Sequence, residues 1–313
     1  MNYVSTRGAA PILAFDDVLL TGLARDGGLY VPEVWPEFSP AEIATWKNLS
    51  YSDLAFNIIA PFVGDVCPDK ELKEIITSAY SHFDTKETAP LIDLGDGEWI
   101  MELFHGPTLA FKDIAMQFLG PMFERTLRIR GQRICIVGAT SGDTGSAAIE
   151  ACRNRENIEV FILYPNGRVS DVQRKQMTTV IAPNIHTIAL QGSFDDCQDI
   201  VKALFNDLLF RDRMNLSAIN SINWARIVAQ VVYYFWAALK VGGPKRPVNF
   251  AVPTGNFGNV FAGYAAHKMG LPINQLFIGS NSNDILTRFF DSGTMAINDV
   301  IPTLSPSMDI QIL

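Results

Sequence analysis

The sequence predicts an α/β fold of mostly parallel sheets flanked by helices, with a mainly helical N-terminal appendage. Three observations predict it. Beyond residue 130, five short β-branched or apolar runs alternate with helical patterns. Those runs are hydrophobic enough to read as strands covered on both faces. Before residue 90, the periodicity is that of helices. With 313 residues, 48% of them hydrophobic and 19% charged, the chain buries a sizeable core and disorder is excluded. The expected division is an appendage over 1–90 and an α/β domain over 91–313.

In chain order, Ser39, Pro40, Ala41 and Glu42 form a capping box with proline at the first helical position, opening a helix that runs to Lys47. A second helix fits Ser50 to Phe62. Pro68 and Asp69 open a third, in which Leu72, Ile75, Ile76, Ala79 and Phe83 recur at helical spacing while Lys73, Glu74 and Ser78 face out. LIDLG, the pair Asp96-Gly97 and EWIMELF then read as a β-hairpin with a favoured turn dipeptide. HGPTLAFKD follows, and a helix from Asp113 to Arg130 is expected to kink at Pro121. The runs RICIVGAT, IEVFILYP, NIHTIALQG, VNFAVPTG and INQLFIGS are expected to share one parallel sheet, with right-handed crossovers and ligands beyond the carboxyl ends of the strands. The apolar stretch Ile227 to Leu239, bounded by Arg226 and Lys240, is shorter than the ~20 residues of a membrane span and reads as a core helix.

Charge narrows the partners. Lys+Arg 25 against Asp+Glu 33 leaves a net charge of −8, which argues against nucleic acid or an anionic membrane and leaves a small molecule. The start, MNYVSTRGAAPILAFDD, has no basic segment followed by an apolar one and carries Asp16 and Asp17, so a cytoplasmic location is expected. Cys67, Cys135, Cys152 and Cys197 show no CxxC spacing and no histidine at metal spacing, and read as buried thiols, with no metal site.

Two strand-loop-helix junctions are rich in Gly, Ser, Thr and Asn: 138–146 (GATSGDTGS) and 253–259 (PTGNFGN). Each places free backbone N–H groups at the positive end of a helix dipole, a geometry suited to an anion. Tight turns alone would also use such glycines. Neither loop has the lysine of a phosphate-binding Walker loop or the G-x-G-x-x-G of a dinucleotide turn, and GATSG is not a nucleophile elbow. Lys112 adds a third feature. It sits at a helix start behind Leu109, Ala110 and Phe111, where dipole and apolar surroundings both lower an ammonium pKa. Such a lysine serves as an amine nucleophile, forming a Schiff base, or as a base; the alternative is a solvated surface charge. An aldehyde cofactor with a phosphate needs one lysine and one anion loop.

HGPTLAFKD, GATSGDTGSAA, NSINWAR and PTGNFGNVFAG, together with the opening YVSTRGAAP and GLARDGGLYVP, resemble in order and spacing the threonine synthase family of bacterial and fungal type, pyridoxal-phosphate enzymes of fold type II. The resemblance runs from Tyr3 to Asp309. It implies pyridoxal 5'-phosphate as cofactor and Lys112 as the residue that bonds it and then moves protons at the substrate Cα and Cβ. It implies that Gly255, Asn256, Phe257, Gly258 and Asn259 hold the cofactor phosphate. Ser141, Gly142, Asp143 and Thr144 are implied to accept the substrate α-carboxylate, with Asp143 standing where many fold type II relatives have Asn and able to reach the cofactor O3′. For the substrate phosphate, Arg226 with Ser221 and Asn223 are candidates; the alternative is that Ser221 and Asn223 merely cap the following helix.

The implied reaction converts O-phospho-L-homoserine and water to L-threonine and phosphate, in a monomer or weak dimer. Two alternatives stay open: a phospho-lyase acting on O-phosphothreonine or a related amino acid, and an inactive cofactor-binding fragment. In the resembled family the segment SPSMDIQ is followed by well over a hundred further residues, so truncation of the α/β domain is expected.

Overall fold

The computed structural model describes residues 1–310 except Leu23, Ser141, 218–222, Pro306 and Ser307. The chain divides into two compact units, Met1–Val34 with Tyr51–Ala229, and Trp35–Ser50 with Gln230–Leu313.

The first unit opens on two short strands, β1 (Tyr3–Ser5) and β2 (Tyr30–Pro32), paired antiparallel around a helix Phe15–Thr21. These strands are too short to show a period of two, and the sequence reading passed over them. The Tyr3 hydroxyl donates to the Phe62 carbonyl at 2.7 Å, joining β1 to the helix Tyr51–Val63. That helix buries Leu54, Ala55, Ile58, Ile59 and Phe62, the i, i+4 stripe that places one face in the core. Helix Asp69–Tyr80 buries Leu72, Ile76 and Ala79 and leaves Lys73, Glu74 and Ser78 exposed, as expected. The hairpin forms from β3 (Leu91–Gly95) and β4 (Glu98–Met101), and Asp96 (φ 50°) and Gly97 (φ 82°) adopt the two positive φ values a primed turn requires. Helix Asp113–Arg130 has the expected bounds and is continuous across Pro121.

Four strands complete this unit: β5 (Ile134–Ala139), β6 (Ile158–Pro165), β7 (Ile185–Leu190) and β8 (Leu216–Ser217), in the order β7-β6-β5-β8 and all parallel. The central pair is in register from Ile134 opposite Ile158 to Ala139 opposite Leu163. Asn184 ties the sheet to its helices from a buried position. Its Nδ2 donates to the carbonyls of Cys152 (2.9 Å) and Ile158 (2.8 Å), and its Oδ1 accepts from the Asn154 amide (2.9 Å).

The second unit carries the capping box of helix Pro40–Thr45. Ser39 Oγ accepts from the Glu42 amide at 3.2 Å, and the Ser39 amide donates to Glu42 Oε2 at 2.8 Å. Strands β9 (Val248–Pro253) and β10 (Ile273–Gly279) pair in parallel on either side of helix Gly258–Lys268, and helix Ile285–Ser292 follows. The expectation of one sheet is corrected here, because β9 and β10 form their own two-stranded sheet. The reason is legible in their burial: Asn249, Ala251 and Pro253 are exposed and Val252 is buried, the alternation of strands covered on one side only. All four cysteines are buried and free. Helix Trp224–Lys240 is buried along its length up to Leu239, and among the described residues no helix is long and apolar enough to cross a membrane.

Replacing Asn184 by Ala strips partners from buried carbonyls at the junction of helix and sheet. It should destabilise the chain by about 2–3 kcal/mol, read as a lower midpoint in urea unfolding with an unchanged slope.

Candidate functional site

Lys112 is the residue that caps helix Asp113–Arg130, in the segment 106–112 that is built on a buried carboxylate. Asp113, fully buried, accepts from the Thr108 amide and the Thr108 hydroxyl, both at 2.8 Å. Burial pushes the Asp113 carboxyl up to about 6, against the pull of those bonds. Gly106 lies so close that a Cβ there would meet the Asp113 side chain at 2.4 Å, so only glycine fits. Gln176 Nε2 donates to the Thr108 carbonyl at 2.9 Å and closes the segment from outside. Leu109 was expected to help bury Lys112, but it adopts φ 60° and is 62% exposed. The tight turn that buries Asp113 turns Leu109 outward.

The Lys112 side chain is nonetheless buried, and its Nζ meets Asp143 Oδ2 at 2.6 Å. Burial pushes the ammonium below the usual lysine range, the Asp143 carboxylate opposes that, and the charge of Arg226 adds to it. Arg226 is itself buried, pushed down to about 10 by desolvation with Asp143 pulling the other way. Lys112 and Arg226 thus both act on the Asp143 carboxylate in a desolvated setting.

Asp143 is placed by the turn between β5 and helix Asp143–Cys152. Thr140 organises this turn, and the sequence reading missed it. Its Oγ1 accepts from the amides of Gly142 and Gly145, both at 3.0 Å, while the Thr144 amide donates to Asp143 Oδ1 at 2.9 Å. Gly142 has φ 149°, and a Cβ there would strike the Gln173 side chain at 2.3 Å, so glycine is required. The signal was present as a hydroxyl two residues before a glycine at a helix start, the pattern of a local side-chain-to-backbone bond. Of the predicted substrate loop, Ser141 lies outside the described residues.

The second anion loop has a different build. Helix Gly258–Lys268 begins after Phe257, which holds φ 59°, and among the described residues its first turn receives no side-chain capping bond from that N-cap position. The Thr254 amide donates to the Gly279 carbonyl at 3.1 Å, whereas the Thr254 hydroxyl is buried and has no hydrogen-bond partner among the described residues. The Tyr234 hydroxyl donates to the Asn259 carbonyl at 2.7 Å and steadies the far side. Uncapped amides at a positive helix end, with an unmatched hydroxyl at the loop's base, fit a phosphate.

Asn223 takes the role of a cap: its Oδ1 accepts from the Ala225 amide at 2.9 Å and its Nδ2 donates to the Leu19 carbonyl at 2.8 Å. Both ends of its amide thereby bond within the fold, which supports the capping reading. Ser221 lies outside the described residues. Thus the structure brings Lys112, Asp143 and Arg226 together, and places Gly255, Asn256, Phe257, Gly258 and Asn259 in the second unit.

The chain is similar to known proteins along its whole length. The family described as "Threonine synthase N terminus" matches residues 2–80, and the family "Pyridoxal-phosphate dependent enzyme" matches residues 88–313. A threonine synthase of Pseudomonas aeruginosa is 56% identical over 312 residues, covering 100% of this chain and 66% of its own length. The crystal structure of a threonine synthase with bound pyridoxal phosphate from Brucella melitensis superimposes with a TM-score of 0.97 at 54% identity, over 100% of this chain and 67% of its own. Yeast threonine synthase does so with a TM-score of 0.94 at 48% identity, over 99% of this chain and 64% of its own. The chain thus spans about two thirds of the length of these relatives.

Two outcomes follow from the charges. Asp143→Asn removes the carboxylate that supports the Lys112 ammonium and leaves Arg226, so the Lys112 pKa should fall further. Reductive methylation of Lys112 followed against pH by NMR of the labelled amine measures it. Asp113, raised to about 6 when folded and near 3.9 in an unfolded chain, binds more protons folded than unfolded between those values. Its contribution is therefore fully present below about pH 4 and lost as pH rises through 6, on the order of 3 kcal/mol. Asp113→Asn should flatten that part of the stability profile in urea titrations at stepped pH.

Proposed function

Because this chain belongs to the threonine synthase family of pyridoxal-phosphate-dependent enzymes, we propose that it converts O-phospho-L-homoserine and water to L-threonine and phosphate. The observation that carries the reading is the buried Lys112 amine, held on Asp143 within reach of the charge of Arg226. Bound pyridoxal phosphate supplies an aldehyde for the amine and an electron-poor ring that stabilises negative charge at the substrate Cα.

The residues act as follows in this reading. Lys112, whose ammonium burial holds below the usual lysine range, would be the amine that bonds the aldehyde of the cofactor. With substrate bound, the same amine would take a proton from Cα and one from Cβ as phosphate leaves Cγ, and would return protons to Cγ and Cα as water adds its hydroxyl at Cβ, the remaining proton of the water going to the released phosphate. Asp143 keeps the Lys112 amine aimed and returns it to one position between turns. Gly142, Asp143 and Thr144, with Ser141, are proposed to meet the substrate α-carboxylate at the start of helix Asp143–Cys152, where the dipole favours negative charge. Arg226 is proposed for the substrate phosphate, supported by its burial and by its electrostatic reach to Lys112 and Asp143. Gly255, Asn256, Phe257, Gly258 and Asn259 are proposed to hold the cofactor phosphate, supported by the uncapped helix start and the unmatched Thr254 hydroxyl. The division at residue 90 is proposed on the same footing, supported by the matched spans 2–80 and 88–313.

Lys112→Ala should abolish the colour gained on adding pyridoxal phosphate and the mass fixed by borohydride, with far-UV circular dichroism unchanged, because the lysine supplies both the covalent link and the base. A borohydride-fixed adduct surviving in that variant refutes the assignment. Incubating the unaltered chain with O-phosphohomoserine should release phosphate with threonine as co-product; a 2-keto acid in its place identifies a phospho-lyase.

A further inference from the structure

The segment SPSMDIQ, prominent in the sequence, belongs to no part of the site described above. In the structure its described residues Ser305 and Asp309 take part in a polar knot within the second unit. Asp309 is the knot's acceptor: its Oδ1 takes Thr303 Oγ1 at 2.6 Å, Asn281 Nδ2 at 2.8 Å and Asn283 Nδ2 at 3.0 Å, and its Oδ2 takes the Thr303 amide at 2.9 Å. Asn281 Nδ2 also donates to Thr303 Oγ1 at 2.9 Å, and its Oδ1 accepts from the Asn283 amide at 2.8 Å. Asn283, buried, exchanges a pair of bonds with the Ile301 backbone, each 2.8 Å. Burial pushes the Asp309 carboxyl up, but the bonds from Thr303, Asn281 and Asn283 together hold it below the usual carboxylate range. An ionised, acceptor-only group that satisfies four donors is a strong anchor.

What the knot anchors is the ground beside the second anion loop. Asn281 follows β10 by two residues, and β10 ends with Gly279 opposite Pro253, its carbonyl accepting from the Thr254 amide at 3.1 Å. Asn283 precedes helix Ile285–Ser292, whose Phe290 ring stacks on Phe257 at 6.1 Å and 30°. Phe257 is the residue that enters the helix Gly258–Lys268 with φ 59°. A non-glycine residue held there costs about 1–3 kcal/mol and keeps that conformation only where its surroundings enforce it. The knot thus grips both supports of the loop, the strand under Thr254 and the helix against Phe257.

We propose that Asn281, Asn283, Thr303 and Asp309 are positioning residues for the phosphate-binding loop 254–259, holding β10 and helix Ile285–Ser292 so that the uncapped amides keep the spacing a phosphate needs. This rests on the reading of 255–259 as the cofactor-phosphate site. The knot touches no ligand itself and acts through Thr254 and Phe257.

The test compares pyridoxal phosphate with pyridoxal, which shares the aldehyde and ring but lacks the phosphate. Dissociation constants of both are measured by fluorescence titration of the 313-residue chain. Asp309→Asn, which turns a donor toward donors, should raise the pyridoxal phosphate constant about tenfold and leave that of pyridoxal within about twofold. Thr303→Val should move the ratio the same way, and Thr303→Ser, which keeps the hydroxyl, should restore it; these two carry the test if Asp309→Asn fails to fold. Asn256→Ala with Asn259→Ala is the reference for direct loss of phosphate contacts. If that reference raises the ratio and the knot variants leave it unchanged, the positioning role is overturned and the phosphate reading stands. Equal weakening of both ligands by the knot variants also overturns it, since that reports loss of fold. An unchanged ratio in the reference itself removes the phosphate reading and the inference with it.

Discussion

A lysine ammonium taken out of water needs a carboxylate, and the first unit is arranged to meet that need. Lys112 finds Asp143 at 2.6 Å across 31 residues of chain, and the buried Arg226 acts on both charges. Such an ion pair adds little stability by itself, because the desolvation of both charges offsets their attraction. Its consequence is positional. The amine has one place to sit, and the elements that carry its neighbours are pinned by bonds that do nothing else: Asp113 to Thr108 beneath Lys112, Thr140 to Gly142 and Gly145 beneath Asp143, and Asn223 to Leu19 beside Arg226.

The two glycine-rich loops look alike as strings of residues, yet they spend their amides differently. In the loop after β5, the Gly142 and Gly145 amides go to Thr140 and the Thr144 amide to Asp143, so these bonds hold the shape of the turn and the place of the Asp143 carboxylate. In the loop after β9, no side chain caps the helix and the Thr254 hydroxyl is unmatched among the described residues, so this turn keeps its donors for something else. The first loop supplies a carboxylate to a lysine in addition to its proposed place for the substrate, and the second has the build proposed for a phosphate. The dipole of the following helix favours both uses.

Local features of the sequence carried a good deal. The capping box at Ser39, the Asp96-Gly97 turn, the bounds of helix Asp113–Arg130 and the apolar stripe of helix Asp69–Tyr80 each depend on residues within four or five positions, and each formed as expected. Strands β1 and β2 escaped because three residues show no period. The sharing of strands between sheets escaped for another reason: hydrophobicity marks a strand without naming its partner, and the exposed Asn249 in β9 was the one sign that VNFAV lies on a half-covered sheet.

The sequence by itself determined the α/β class, the helices Pro40–Thr45, Tyr51–Val63, Asp69–Tyr80 and Asp113–Arg130 to within a few residues, and the family, and it singled out Lys112 and the loops 138–146 and 253–259 as candidates, because these are written in neighbouring residues or in motifs whose order survives. Only the tertiary structure decided that the Asp143 carboxylate lies on the Lys112 amine, that Asn223 is a cap, that Thr140 holds one loop closed, and that Asp309 gathers Asn281, Asn283 and Thr303 into one knot. These are choices among polar partners separated in the chain. A hydrogen-bonding group accepts any complementary partner, so which one it meets is set by the packing of the apolar elements that carry it, a property of the whole fold rather than of its neighbours in sequence.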